Sequence, residues 1–505
     1  MLFNSYHFIL VFLPVALAVF VVLRSRGKIS WTFNWLVVVS VFFYGWGNWS
    51  NLWMIGESMV VNYLIGTQLG RMEPGSRNSR WLMRLGVTAN LMFLGYYKYA
   101  DFFVNNVRAV FGCHWPELNV ILPIGISFYT FQALTYVVDS ANGQTRGYNF
   151  RDFCLFITFF PHLIAGPIVH HGEMMPQFRR EHRQWVDWAD VAVGITMFVF
   201  GLAKKVLIAD QFARWATPVF NAAQTGATPG FGAAWVGVMA YAMQVYFDFS
   251  AYSDMALGLA RLFGIKLPIN FNSPYKARNI ADFWRRWHMT LSRLLREYLY
   301  IPLGGNRHGT ARRYVNLMAT MLIGGLWHGA GWTYVIWGGL HGVYLSTYHA
   351  WSAWRARRGR ASDDPRLAGL WTGRLITFVA VLVSYVFFRA ASEAAAFKLV
   401  GSMFGLNGFS FASTDIPLAT AAWASAAMLP VVWFLPNTHE MLACYQPALE
   451  YTAGTDKVGL APTPAWLGRR LEWHPTVGWA LVLAALMVAS ILGLSRVSEF
   501  IYWQF

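Results

Sequence analysis

The 505-residue chain is 56% hydrophobic and 17% aromatic but only 13% charged, where a soluble domain carries about 25% charged residues. That balance excludes a soluble globular protein and implies a polytopic helical membrane protein with aromatic belts at its interfaces. The net charge of +16 sits between apolar segments, which is the loop bias of a membrane protein and not the footprint of a nucleic-acid binder.

In chain order, apolar stretches long enough to span lie near 7–23, 31–48, 51–69, 85–104, 118–139, 188–208, 232–249, 314–327, 330–350, 374–390, 417–436 and 477–495. No Lys or Arg precedes the first, so it reads as a transmembrane helix and not as a cleaved signal. Residues 153–169 (Pro161, Gly166, Pro167) and 251–268 (Gly258, Gly264, Pro268) are apolar but broken. Such segments suit re-entrant positions, because irregular backbone at membrane depth must be buried in protein. We expect roughly 11 to 13 spans plus one or two re-entrant pieces. Basic clusters at 24–28, 71–84, 179–183, 276–313 and 355–374 alternate with connections nearly free of Lys and Arg. The basic loops are therefore expected in the cytoplasm, with the N-terminus and the final SEFIYWQF outside. The loop 437–476 is mixed in sign and gives no orientation.

The longest polar connection is basic: from Lys276 to Arg313 there are nine Lys or Arg against Asp282 and Glu297. Within it Ile280, Phe283, Trp284, Trp287, Leu291, Leu294, Leu295 and Tyr298 keep helical spacing. This predicts one amphipathic helix over 280–300, lying at the cytoplasmic interface. Its Arg285 and Arg286, with Lys276 and Arg278, could also receive an anionic donor such as acetyl-CoA.

GGLWHGAGWTYVIWGGLHG (324–342) places His328 and His341 in an otherwise apolar, glycine-rich run. Ionisable groups at membrane depth mark functional sites by default. Thirteen residues apart, the two do not share a face of one straight helix. An imidazole beside a glycine break can take a proton from an attacking hydroxyl, the role expected of His328. Asp248 in YFDFSAYSDM either pairs with the basic segment or lines an aqueous path. His170, His171 and Glu173 in HHGE lack the HExxH arrangement, and the three dispersed cysteines have no metal-ligand spacing, so no metal site is expected. His182 and Asp187 match the spacing of the His-x-x-x-x-Asp motif of soluble glycerolipid acyltransferases, but on a polar connector where no chemistry is expected.

Longer blocks carry a family resemblance: LPIGISFYTFQ (122–132), FFPHLIAGPIV (159–169), YFDFSAYSDMA (246–256), LPINFNSPY (267–275), DFWRRWHMTLSRLLREYLYIPLGGNR (282–307), the 324–342 block and the terminal FIYWQF. With these the chain resembles bacterial members of the membrane-bound O-acyltransferase family. The resemblance implies an all-α helical bundle with a central tunnel, one domain over 1–505 with its acyltransferase core at about 118–350. It implies catalysis by His328 of the WHG motif with His288, forty residues earlier, as its polar partner; His341, Trp327 and Asp248 are secondary candidates. It also implies a bacterial inner-membrane enzyme with no bound cofactor, taking acetyl from acetyl-CoA or a carrier-protein thioester in the cytoplasm. The acceptor would be a secreted polysaccharide, alginate first, then cellulose or another exopolysaccharide. Phe500–Phe505 would dock a periplasmic acetylation protein. His162 stands where the alginate-acetylating proteins are expected to have Gln. Acylation of a cell-wall polymer and a non-enzymatic transporter are the competing readings. A transporter, however, has no evident need for the basic, Trp-rich 282–307 block.

Overall fold

The computed structural model describes residues 1–178, 187–359, 367–412, 416–449, 451, 465–494 and 500–501. Its helices are α1 (Leu13–Ser25), α2 (Ile29–Gly45), α3 (Ser50–Arg71), α4 (Arg77–Phe111), α5 (Ile126–Ala141), α6 (Phe150–Thr158), α7 (His171–Phe178), α8 (Trp188–Ala203), α9 (Asp210–Gln224), α10 (Phe231–Leu262), α11 (Ile280–Trp284), α12 (Met289–Leu295), α13 (Gly309–His328), α14 (Trp332–Arg357), α15 (Leu367–Arg389), α16 (Glu393–Met403), α17 (Leu418–Phe434), α18 (Thr438–Met441), α19 (Ala465–Leu471) and α20 (Val477–Gly493). No strand occurs among the described residues.

Phe8–Ser25, Trp188–Gln224 and Gly369–Arg389 are long and apolar enough to cross a membrane, and α2, α17 and α20 are shorter apolar helices. Other long helices, α4 and α10 among them, carry polar residues that they bury against neighbours. Asn62 of α3 and Asn90 of α4, for instance, exchange amide hydrogen bonds at 3.1 and 2.7 Å. Large apolar side chains such as Leu10, Trp53, Leu85, Ile376, Trp423 and Leu492 point outward. With polar groups inside and apolar ones outside, the chain is a multi-pass membrane protein.

α10 is the central post, packed on α8, α9 and α17. The sequence suggested a break over 251–268, but α10 runs unbroken through Leu262 and chain irregularity starts only at Gly264. Gly258 does not break the helix; it lets α8 approach, since a Cβ there would lie 2.6 Å from the Gly194 carbonyl oxygen. Asp248 and Asp254 of α10 are buried and pair with Lys205 and Lys204, each at 2.6 Å. Breaking such a pair leaves a lone buried charge and costs about 3–5 kcal/mol.

Of the broken segment suggested over 153–169, residues 153–158 belong to helix α6 and only 159–169 are buried irregular chain. Side chains supply its hydrogen bonds: Phe160 N–H donates to Ser40 Oγ and Ile168 N–H to Thr290 Oγ1. The expected surface helix over 280–300 is corrected. α11 stops at Trp284, His288 takes a left-handed conformation (φ 42°, ψ 55°), and α12 starts anew. That break turns Phe283, Trp287 and His288 into the bundle, where all three are buried.

α13 and α14 cross almost backbone to backbone. A Cβ on Gly325 would meet the Tyr334 carbonyl oxygen at 2.3 Å, and one on Gly338 the Met321 carbonyl oxygen at 2.4 Å. Overpacking of this kind costs about 1–3 kcal/mol or more. Gly325→Val is therefore expected to lower the unfolding temperature of the detergent-purified protein and its level in membranes, readable by thermal-shift assay and immunoblot.

Candidate active site

His328 is the last residue of α13, and extended Gly329 ends that helix. Its ring packs on Trp327 (4.9 Å between centroids), Trp337 (5.0 Å) and Phe388 (5.2 Å). The His288 ring lies 6.4 Å from it, and both side chains are buried. The break after α11 and the glycine break after α13 therefore bring together two imidazoles forty residues apart.

The environment fixes the tautomer of His288. Its Nδ1–H donates to Asn270 Oδ1 at 3.0 Å, and the same oxygen accepts from Thr290 Oγ1 at 2.9 Å. Nε2 then carries the lone pair, and among the described residues it has no hydrogen-bond partner. Phe249 stands edge-on to the ring at 4.9 Å. His341 differs. Trp284 Nε1–H donates to its Nδ1 at 3.2 Å, and its Nε2–H donates to Ser384 Oγ at 3.0 Å. Both of its ring nitrogens are therefore occupied.

The other expected site residues divide. Trp327 is buried and stacks on Phe131 at 5.3 Å with a 12° interplanar angle. Asp248 is tied to Lys205 and also accepts a hydrogen bond from Ile501 N–H at 2.9 Å. Of the basic set, Arg285 is exposed and Arg278 half-buried. Lys276 and Arg286 do not lie on the outer face: both are buried, paired with Glu440 (3.3 Å) and Asp282 (3.0 Å). Charges folded into the bundle need internal partners.

Sequence reasoning missed three residues beside the pair. Asn270 lies in the quoted LPINFNSPY block but carries no charge to single it out. Lys98 of α4 donates to the Trp327 carbonyl and to Ser127 Oγ, and Tyr99 donates to the Leu326 carbonyl at 2.9 Å. Together they cap the end of α13 that bears His328. A lysine within the apolar 85–104 stretch was the available signal.

The docking role expected of Phe500 is corrected. Phe500 is buried, edge-on to Tyr252 at 4.8 Å and beneath Lys205 Nζ at 4.6 Å. It packs inside its own chain and is not displayed to a partner; residues 502–505 lie outside the described set. His182 also lies outside it, while Asp187 caps α8 by accepting from Ala189 N–H at 2.9 Å.

The family model described as MBOAT, membrane-bound O-acyltransferase family, matches residues 117–391. The chain belongs to the membrane-bound O-acyltransferase family. It is 44% identical to a "Peptidoglycan O-acetyltransferase" of Helicobacter pylori over 81% of each chain. It is 36% and 38% identical to proteins named "Probable alginate O-acetylase AlgI" of Pseudomonas aeruginosa and Pseudomonas putida, over the full length of both chains. A "Teichoic acid D-alanyltransferase" of Streptococcus thermophilus is 30% identical over 52% of this chain and 68% of its own. The chain is thus an O-acyltransferase, and both histidines of the pair lie within the matched region.

Proposed function

We propose that this O-acyltransferase moves an acetyl group from a cytoplasmic thioester, acetyl-CoA or a carrier-bound acetyl, across the bacterial inner membrane for O-acetylation of a secreted polysaccharide, alginate first. The observation that carries this is the buried His288–His328 pair, with His288 Nε2 bearing an uncommitted lone pair. His328 takes the proton of an incoming hydroxyl as its oxygen attacks the thioester carbonyl, and His288 orients or shares that proton. The carbon–sulfur bond breaks, the thiol leaves on the donor side and the acetyl ester departs outward. Arg285 and Arg278 are the residues of the basic face placed to meet an anionic donor. Full-length similarity to the AlgI proteins favours alginate. The higher identity to the H. pylori protein favours peptidoglycan as the second reading.

The test is polymer analysis in the native host. Deleting the gene is expected to remove O-acetyl esters from the exopolysaccharide and to leave muramic acid acetylation unchanged. The reverse result selects peptidoglycan, and no change in either polymer overturns the reading.

Orientation has its own test. The described residues 437–449 pack on the Arg261 and Lys276 end of the bundle through Tyr445, Gln446 and Glu440. These contacts support a position on the same side as the basic loops. With the N-terminus periplasmic, a membrane-impermeant maleimide should label Cys113 in intact cells and reach exposed Cys444 only after the cells are opened. Cys444 donates its thiol hydrogen to Glu472 at 2.5 Å, which raises its pKa. The thiolate is the reactive form, so labelling of Cys444 should climb as pH rises.

A further inference from the structure

At the basic end of the bundle a second cluster of side chains takes no part in the proposed chemistry. Asp139 lies near the end of α5, His170 and His171 at the start of α7, and Tyr298 in the wide turn after α12. His170 Nε2 and His171 Nε2 lie 2.7 and 3.0 Å from one oxygen, Oδ2 of Asp139, and Tyr298 Oη lies 2.7 Å from the same atom. His170 Nε2 and Tyr298 Oη are themselves only 2.5 Å apart.

Two imidazole nitrogens and a phenol oxygen thus converge on a single carboxylate oxygen. If both imidazoles and the phenol donate to Asp139 Oδ2, the His170 Nε2–H is shared with Tyr298 Oη across the 2.5 Å contact. The three ligand-type groups Asp139, His170 and His171 bring one donor atom each within 4.8 Å of one another. We propose that Asp139, His170 and His171 form a mononuclear Zn²⁺-type site, with the Tyr298 hydroxyl or a water as fourth donor.

Two nitrogens and one carboxylate oxygen are a zinc donor set. Bonds of about 2.0–2.2 Å set tetrahedral edges near 3.3 Å, so the ligand atoms, now 2.5–3.0 Å apart, would move apart by about 0.3–0.8 Å on binding. The outer contacts suit the site on one side. His171 Nδ1 lies 3.1 Å from Tyr148 Oη, so its proton has an acceptor once Nε2 binds metal. On the other side, Gly172 N–H points at His170 Nδ1 from 3.3 Å, a long contact that must yield when that nitrogen takes up the proton. Glu173 is not a ligand. It holds Arg293 through two oxygens at 2.5 and 2.9 Å and accepts from His170 N–H, which fixes the backbone of the pair. Asp139 and His171 are buried, and the partly exposed His170 provides the access route. A bound ion would brace α5 and α7 and, through Tyr298, the turn after α12. The site stands independently of the acyl-transfer reading.

The test uses the untagged full-length protein in detergent. Wild type and His114→Gln, a variant of an exposed histidine, are expected to hold about one zinc per chain and to give the intense visible absorption of tetrahedral Co²⁺ on substitution. Asp139→Asn and His171→Gln should weaken binding by more than the roughly 10–100-fold typical of losing an outer partner. Binding unchanged in these two variants overturns the proposal. If they fail to fold, the wild-type cobalt spectrum decides: tetrahedral bands at one equivalent support the site, and their absence overturns it. The readout is metal content, so it stays separate from any failure of acetylation.

Discussion

His328→Gln is expected to abolish polymer acetylation while the protein remains in the membrane at near wild-type levels. The magnitude follows from the role: a positioned general base contributes about 10²–10⁴-fold to rate. Glutamine roughly keeps the volume between Trp327, Trp337 and Phe388 but cannot accept and release a proton near neutrality. His341→Gln separates this role from mere packing. His341 spends both ring nitrogens on Trp284 and Ser384, so its replacement leaves a buried group unsatisfied, at about 1–3 kcal/mol. That variant should lose protein level and thermal stability, while each surviving molecule keeps most of its activity. Ester content per immunoblot-normalised protein reads both variants, and full activity in His328→Gln would remove the proposed chemistry.

The membrane class was legible because it depends on composition summed over hundreds of residues. The glycine-flanked His328 was legible because an imidazole in an apolar run is expensive wherever it lands. His288 was harder. Its neighbours Phe283, Trp287 and Leu291 keep helical spacing, and that spacing predicts one surface helix. What turns the segment inward is a left-handed conformation at a residue other than glycine, which no residue type announces. Lys276 and Arg286 were misplaced because a basic run reads as solvated until the chain folds it against Glu440 and Asp282. Asp139 shows the other limit. Nothing within thirty positions links it to His170, and only the return of α7 beside the end of α5 creates the cluster. Phe500 reads as part of an external tail because its burial depends on Tyr252 and Lys205, which are far away in the chain.

The second large effect is expected at His288 and its support. His288→Ala should reduce turnover by about 100-fold or more, because it removes the group that orients or shares the proton. Asn270 offers the sharper test, since it touches the imidazole only through Nδ1. Asn270→Ala frees the ring and its tautomer, and an outer-partner loss of this kind typically costs about 10–100-fold. The fall should appear in kcat with little change in the KM for the donor. Asn270→Asp keeps an acceptor at Nδ1 and at the Thr290 hydroxyl, so it should recover much of the activity lost in the alanine variant. A purely structural histidine makes the opposite demand. Placing a carboxylate among Phe249, Phe271 and Trp287 would then be at least as harmful as alanine, because a buried charge needs a partner that can share it. Steady-state kinetics on the three variants, each normalised to folded protein, distinguishes the cases. If His288→Ala turned over at the wild-type rate, the pairing of the two imidazoles would be a matter of packing alone.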